Sequence, residues 1–405
     1  MQILGKEGIS SLIFFICAII LTPYNFGVFN YILSVISLLL IFCDFGISGS
    51  VTKFTAEYNV TDKNKINILI FNSMTAILFL SILVSILTII FGKFYLKENY
   101  NLTVAALPML LFIPLTSMFD GVFRGLKKFK ELTIISLITG AISVFIVFIL
   151  IKYFDLTGAV ISKNIYYLIT FISMFLAIRS IKLIIDWTMI LKIIKYSLVL
   201  GITGLMFFLY TKVDVLILKH FGYIIEIGYY EIIIKIIELI ILPFIIFGQV
   251  IAPNITEIYV KKQFEKIKKK ISKHILLSTV VSVIFAIILY FILPFILKFI
   301  FPKYYNDSLL SIMYLLLIIS PIRMIGQIVN NGYTISTGNA HLNMITMIPA
   351  GIMNIILDVI FIKYFGFIGV VYSTMICFSF GSISLIILFY FKLNRLILIN
   401  KDSKL

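Results

Sequence analysis

The sequence predicts an all-α integral membrane protein of about twelve transmembrane helices in two six-helix bundles. Three observations predict it. The 405-residue chain is 61% hydrophobic with a mean hydropathy of +1.13, well above the roughly half-apolar composition of soluble domains. Its apolar residues fall into runs of about 20, the length that crosses a bilayer as a helix. The stretch IKYFDLTGAVIS at 151–162 returns as IKYFGFIGVVYS at 362–373, identical at seven of twelve positions.

In chain order the spans read 5–22, 28–47, 66–92, 102–122, 132–151, 157–178, 197–218, 225–250, 275–300, 308–330, 342–362 and 366–391. The first carries Lys6 and Glu7 near its start and reads as a short or truncated span, since no small-residue cleavage motif follows it. With the N-terminus in the cytoplasm, 24 of the 34 Lys and Arg fall on the cytoplasmic side, from Lys6 through Arg179 to Lys404. Seven fall on the opposite side and three within spans, so the charge bias places both termini in the cytoplasm.

The repeated stretch joins spans 5 and 6 in its first copy and spans 11 and 12 in its second. A second echo precedes spans 2 and 8, aligning Gly27 with Gly228 and Phe29 with Tyr230. Residues 1–190 and 191–405 are therefore read as two lobes. Six spans per lobe is an even number, so both lobes start from the same side and are related by a pseudo-two-fold axis along the membrane normal. Alternating access to a substrate site between the lobes is the mechanical expectation.

Several functions find no support. Cys17, Cys43 and Cys377 lie in apolar stretches without metal spacing and read as small core residues. His220, His274 and His341 lie far apart, and no phosphate-binding loop, nucleophile elbow or zinc-protease motif occurs. The net charge of +16 reads as positive-inside loops rather than nucleic-acid binding. The longest non-cytoplasmic loop, around 93–101, is too short for a membrane glycosyltransferase or polymerase, so the chain reads as no enzyme.

The stretch YNFGVFNYILSVISLLLIFCDFGISGSVTKFTAEY holds Gly27 and Phe29, then Asp44-Phe45-Gly46, then Lys53, Phe54, Ala56 and Glu57. FDGVFRGLKKFKELTIISLITG carries Arg124-Gly125, and KVDVLILKHFG carries Asp214. These segments resemble the polysaccharide and O-antigen flippases of the multidrug/oligosaccharidyl-lipid/polysaccharide exporter superfamily. The resemblance implies transport of a polyprenyl-pyrophosphate-linked oligosaccharide across the plasma membrane for surface polysaccharide or lipopolysaccharide synthesis. It implies polysaccharide polymerase machinery as a working partner. A cation-coupled multidrug antiporter of the same superfamily is the alternative.

Ionisable residues inside spans mark function by default. Glu231, Lys235 and Glu238 stand at i, i+4 and i+7, on one helix face. This stripe either lines a cavity, offering Lys235 to a pyrophosphate, or neutralises itself in packing. In span 7, Lys212 and Asp214 point to different sides, so cross-hairpin pairs are expected, Asp214 with Lys235 or Lys212 with Glu238. Asp214 is otherwise a protonation or sodium site coupling transport to a proton or sodium gradient, with Glu231, Glu238 and Asp358 as further candidates. Asn354 and Asp358 share a face at i, i+4 and suggest a second such site. Arg124 and Lys53 at the cytoplasmic mouth, and Arg323 after Pro321, are candidates for the anionic headgroup. KKQFEKIKKKISKH, residues 261–274, spaces Phe264, Ile267 and Ile271 as an interfacial helix on anionic membrane lipids.

Overall fold

The apolar runs fold as helices throughout a computed structural model that describes residues 2–178 and 182–402. Arg179 and Lys404, counted above for orientation, lie outside them. The helices are α1 (Gln2–Ile20), α2 (Pro23–Asp44), α3 (Ile47–Thr61), α4 (Asn64–Leu96), α5 (Tyr100–Ala106), α6 (Pro108–Gly125) and α7 (Phe129–Ala177). They continue as α8 (Trp187–Thr211), α9 (Val213–His220), α10 (Ile224–Val260), α11 (Phe264–Ile300), α12 (Asp307–Val329), α13 (His341–Phe365) and α14 (Ile368–Asp402). Among the described residues eight stretches are long and apolar enough to cross a membrane. α7 has 49 residues and makes two crossings. With α1, α6 and α10 added, the chain is a multi-pass membrane protein of about twelve spans.

Two compact units divide between Phe208 and Leu209, inside α8. Most of α8 belongs with the first unit because it is pinned there. Its Ser197 hydroxyl lies 2.7 Å from that of Ser50, and Gly201 meets the Phe45 ring so closely that a Cβ would stand 2.9 Å from it. Asp186 caps the helix, accepting from Thr188 Oγ1 at 2.6 Å and from the Thr188 and Met189 amides. The Thr188 hydroxyl, then the Met189 amide, hold its carboxyl below the usual carboxylate range.

The stretch after span 2, outside the predicted spans, is the helix α3. Ile47, Val51, Phe54 and Tyr58 face a core shared with Leu69, Phe119 and Val122. Phe45 and Gly46, both left-handed at φ 39° and 83°, break α2 from α3, and Asp44 accepts from the Ser48 amide across the break. On the facing helix, Gly121 and Gly125 let α6 lie flush on α3, and a Cβ at Gly125 would stand 2.6 Å from Thr55 Cβ.

The repeated stretch is a helical hairpin in both units. Its turn residue is Asp155 in one copy and Gly366 in the other, with φ 47° and ψ −125° against φ 63° and ψ −151°. Three residues on, a Cβ at Gly158 would overlap the Leu150 carbonyl, and one at Gly369 would overlap that of Phe361. The hairpin closes by backbone contact at these glycines, so the seven shared positions preserve a turn.

The basic segment 261–274 is not a separate interfacial helix. From Phe264 onward it is the start of the 37-residue α11. Phe264, Ile267 and Ile271 pack against Ile258, Leu385, Phe389, Leu393 and Ile397 instead of lipid. Their helical spacing serves an internal contact, because the C-terminal half of α14 covers them.

Candidate ion-coupling and substrate site

Chain breaks build the site in the second unit. α8 ends at Thr211, and Lys212, at φ −136°, starts the short α9 with Asp214 in its first turn. The break deprives the Leu209 carbonyl of its helical partner, and the Asn354 side-chain amide comes within 3.3 Å of it. The same amide nitrogen donates to Asp214 Oδ1 at 2.5 Å. Ser373 Oγ, 3.1 Å from Asn354 Oδ1, sets the orientation of that amide.

Asp214 Oδ2 accepts from the Tyr230 hydroxyl and lies 3.1 Å from Thr374 Oγ1. Thr374 Oγ1 is also 2.8 Å from the Val370 carbonyl oxygen. One helical turn beyond Asn354, Asp358 is fully buried, with the Asp214 carboxyl and the Ser373 hydroxyl as its polar neighbours. Asp214, Tyr230, Asn354, Asp358, Ser373 and Thr374 are all buried. Asp214 and the Asn354–Asp358 pair thus form one site, where the sequence suggested two. α9 reaches α13 through the break at Lys212, a contact no local spacing encodes.

Two neighbouring carboxyl groups sealed from water cannot both remain charged and uncompensated. A proton or a monovalent cation bound between them would satisfy the pair. Among the described residues no group of three or more His, Cys, Asp or Glu is placed to hold a metal.

The charged stripe of α10 lies beside this cluster, with pairs other than those expected. Lys212 Nζ stands 2.9 Å from both oxygens of Glu231, and Lys235 Nζ 3.3 Å from Glu238. Asp214 is bound by neutral donors, Tyr230 from across the hairpin and Asn354 and Thr374 from α13 and α14. Arg323 is stacked on Phe378 at 3.8 Å, with Tyr210 edge-on to the same ring. Its Nη1 is buried without a hydrogen-bond partner.

The first unit holds the other two candidates. Arg124 donates Nε to Asp120 Oδ1 at 2.7 Å and Nη2 to Oδ2 at 3.2 Å, so its charge is largely matched. Lys53 Nζ sits 4.0 Å above the Tyr196 ring, beside a Lys192 that binds Glu57 and the Tyr58 hydroxyl at 3.0 Å each. Tyr230, Ser373 and Thr374 escaped the sequence reading. Tyr230 aligns with Phe29 in the second echo, so the added hydroxyl was its signal. Ser373 and Thr374 follow the repeated glycine within the hairpin.

The fold is that of multi-pass transporters of the MOP superfamily. An inward-facing multidrug resistance MATE family transporter of that superfamily superposes with a TM-score of 0.79 at 14% identity, over 96% of this chain and 95% of that one. The lipid II flippase MurJ in an inward closed conformation gives 0.75 at 16% identity, over 95% and 86%. A MOP superfamily transporter from Pyrococcus furiosus gives 0.67 at 13% identity, over 98% and 94%. In sequence, an uncharacterized membrane protein of Methanocaldococcus jannaschii is 26% identical over 238 residues, 53% of this chain. The match spans 55% of that relative, so the chain covers about half the length of the relative it matches. The family model described as polysaccharide biosynthesis protein matches residues 1–259, and the chain belongs to that family.

Proposed function

We propose that the chain is a flippase that moves a polyprenyl-pyrophosphate-linked oligosaccharide across the plasma membrane by alternating access, for surface polysaccharide synthesis. Both termini are cytoplasmic in this reading, and residues 1–190 and 191–405 are the two duplicated lobes. A proton or sodium ion moving down its gradient alternately occupies and leaves the Asp214–Asp358 pair. The observation that carries the coupling is the fully buried Asp358 carboxyl beside a second buried carboxyl, Asp214. Arg323, with Lys235 and Lys212 nearby, takes the pyrophosphate, while Lys53 and Arg124 attract it to the cytoplasmic mouth. Family membership supports the glycan, and a polysaccharide polymerase acts on the delivered product.

The structural likeness to a multidrug transporter favours a second reading, in which Glu231, Glu238 and the aspartates handle organic cations. The two readings separate in proteoliposomes. Fluorescent polyprenyl-pyrophosphate glycan is expected to reach the far leaflet faster under a proton or sodium gradient. Robust ethidium efflux with no glycan movement overturns the flippase.

A further inference from the structure

Two helix irregularities face each other at the end of the second unit that the charge bias assigns to the cytoplasm. Pro253 lies inside α10 and has no N–H, so the Gln249 carbonyl loses its helical donor. Opposite it, α12 runs into a π-helical turn at Asn330–Thr334, a geometry that recurs at functional sites. Gly248 and Gly332 bring the two helices together, a Cβ at Gly248 standing 3.0 Å from Asn331 Cβ. Next to this crossing opens a cleft of about 430 Å³, within the roughly 300–1,000 Å³ of small-ligand sites.

Gln249, Ala252, Pro253, Thr256, Asn331, Ile335 and Ser336 line the cleft, and none is charged. The hydroxyl protons are already committed, Thr256 within 2.8 Å of the Ser336 carbonyl and Ser336 within 2.7 Å of that of Gly332. Asn331 Nδ2 spends its N–H groups on the Gln327 carbonyl at 2.9 Å and the Gln327 side-chain Oε1 at 3.3 Å. The cleft wall is mostly apolar, and the few polar atoms left in it are mainly acceptors: Asn331 Oδ1, the hydroxyl lone pairs and the Gln249 carbonyl, with the Gln249 side-chain amide as a flexible donor group. The ionised pyrophosphate that links lipid to glycan carries no O–H, so it only accepts hydrogen bonds and finds few donors here. A hydroxyl-rich neutral ligand finds acceptors for its protons, and Pro253 and the half-exposed Ile335 offer apolar cover for its C–H face.

We propose that this cleft binds a neutral sugar of the transported oligosaccharide through Gln249, Thr256 and Asn331. The site rests on the flippase reading and extends it to the glycan. It separates headgroup affinity, supplied by Arg323, from glycan selection.

The test uses the full chain in nanodiscs and two probes, bare polyprenyl pyrophosphate and the same lipid carrying a neutral hexose trisaccharide. Wild type is expected to bind the glycan probe more tightly. Gln249→Ala and Asn331→Ala are each expected to weaken glycan-probe binding about three- to tenfold, as loss of one or two neutral hydrogen bonds does, and to leave the bare probe within about twofold. The Gln249 side chain is exposed and has no hydrogen-bond partner among the described residues, so its variant carries the test even where Asn331→Ala fails to fold. Equal loss for both probes, no loss for the glycan probe, or equal wild-type affinity for the two overturns the sugar site alone. Binding of neither probe by wild type overturns the flippase reading, and the sugar site falls with it.

Discussion

Asp155 and Gly366 hold one backbone conformation at equivalent turns of two helical hairpins, 211 residues apart in the chain. Positive φ with ψ near −125° suits glycine, and a non-glycine residue held there costs on the order of 1–3 kcal/mol. Asp155 keeps its side chain because it accepts from Asn25 Nδ2 at 2.6 Å, an exposed bond of small net worth. Asp155→Gly is therefore expected to leave thermal stability in detergent unchanged or raise it by up to about 1 kcal/mol. Gly366→Asp is expected to lower it by about 1–3 kcal/mol. Melting curves of the two variants check the pair.

The duplication copied the scaffold without the chemistry. At the same offset, Asn354, Asp358 and Thr374 correspond to Ser143, Val147 and Lys163, so the first unit carries no copy of the acidic pair. The spans, the hairpins and the acidic positions were legible because periodicity and repetition are local properties of the chain. The union of Asp214 with Asn354 and Asp358 was not, because it depends on where α9 starts after the break at Lys212. The pairing of Lys212 with Glu231 rather than Glu238 depends on the same break. α3 lies outside the predicted spans because its polar residues interrupt the apolar run, although six of its residues are buried.

Gly125 belongs to the segment that carries the family resemblance, and its contact with Thr55 gives it a structural duty. Gly125→Val is expected to cut the yield of folded protein at least severalfold, since both contacting helices are buried along this line. Gly204→Ala, with nothing within 4 Å of the added Cβ, is the matched control and is expected to express normally. Size-exclusion profiles from membranes read both.

Lys212 and Glu231 form a pair in which the carboxylate is the buried member, at 7% side-chain exposure against 34%. Lys212→Ala strands that carboxylate and is expected to cost about 2–3 kcal/mol, below the 3–5 of a fully buried pair because Lys212 is partly open to water. Adding Glu231→Ala is expected to return most of the loss. A double-mutant cycle on thermal stability gives the coupling directly.

Arg323 is held flat against Phe378 with an unused buried donor. Arg323→Lys keeps the charge but loses the fork and the stack, and is expected to weaken binding of bare polyprenyl pyrophosphate about tenfold, equivalent to roughly 1.4 kcal/mol. Arg124→Lys, whose partner Asp120 is already in place, is expected to change it less than about twofold. Equilibrium binding in nanodiscs separates the two.

In the proposed cycle the Asp214–Asp358 pair couples transport to the ion gradient, and gradient-driven flipping probes that pair. Fluorescent polyprenyl-pyrophosphate glycan is followed in proteoliposomes with and without an imposed proton or sodium gradient, for wild type, Asp214→Asn and Asp358→Asn. Acceleration by one of the gradients is expected in wild type and its loss in both variants, with glycan binding retained. Full gradient acceleration in Asp358→Asn would contradict the coupling site.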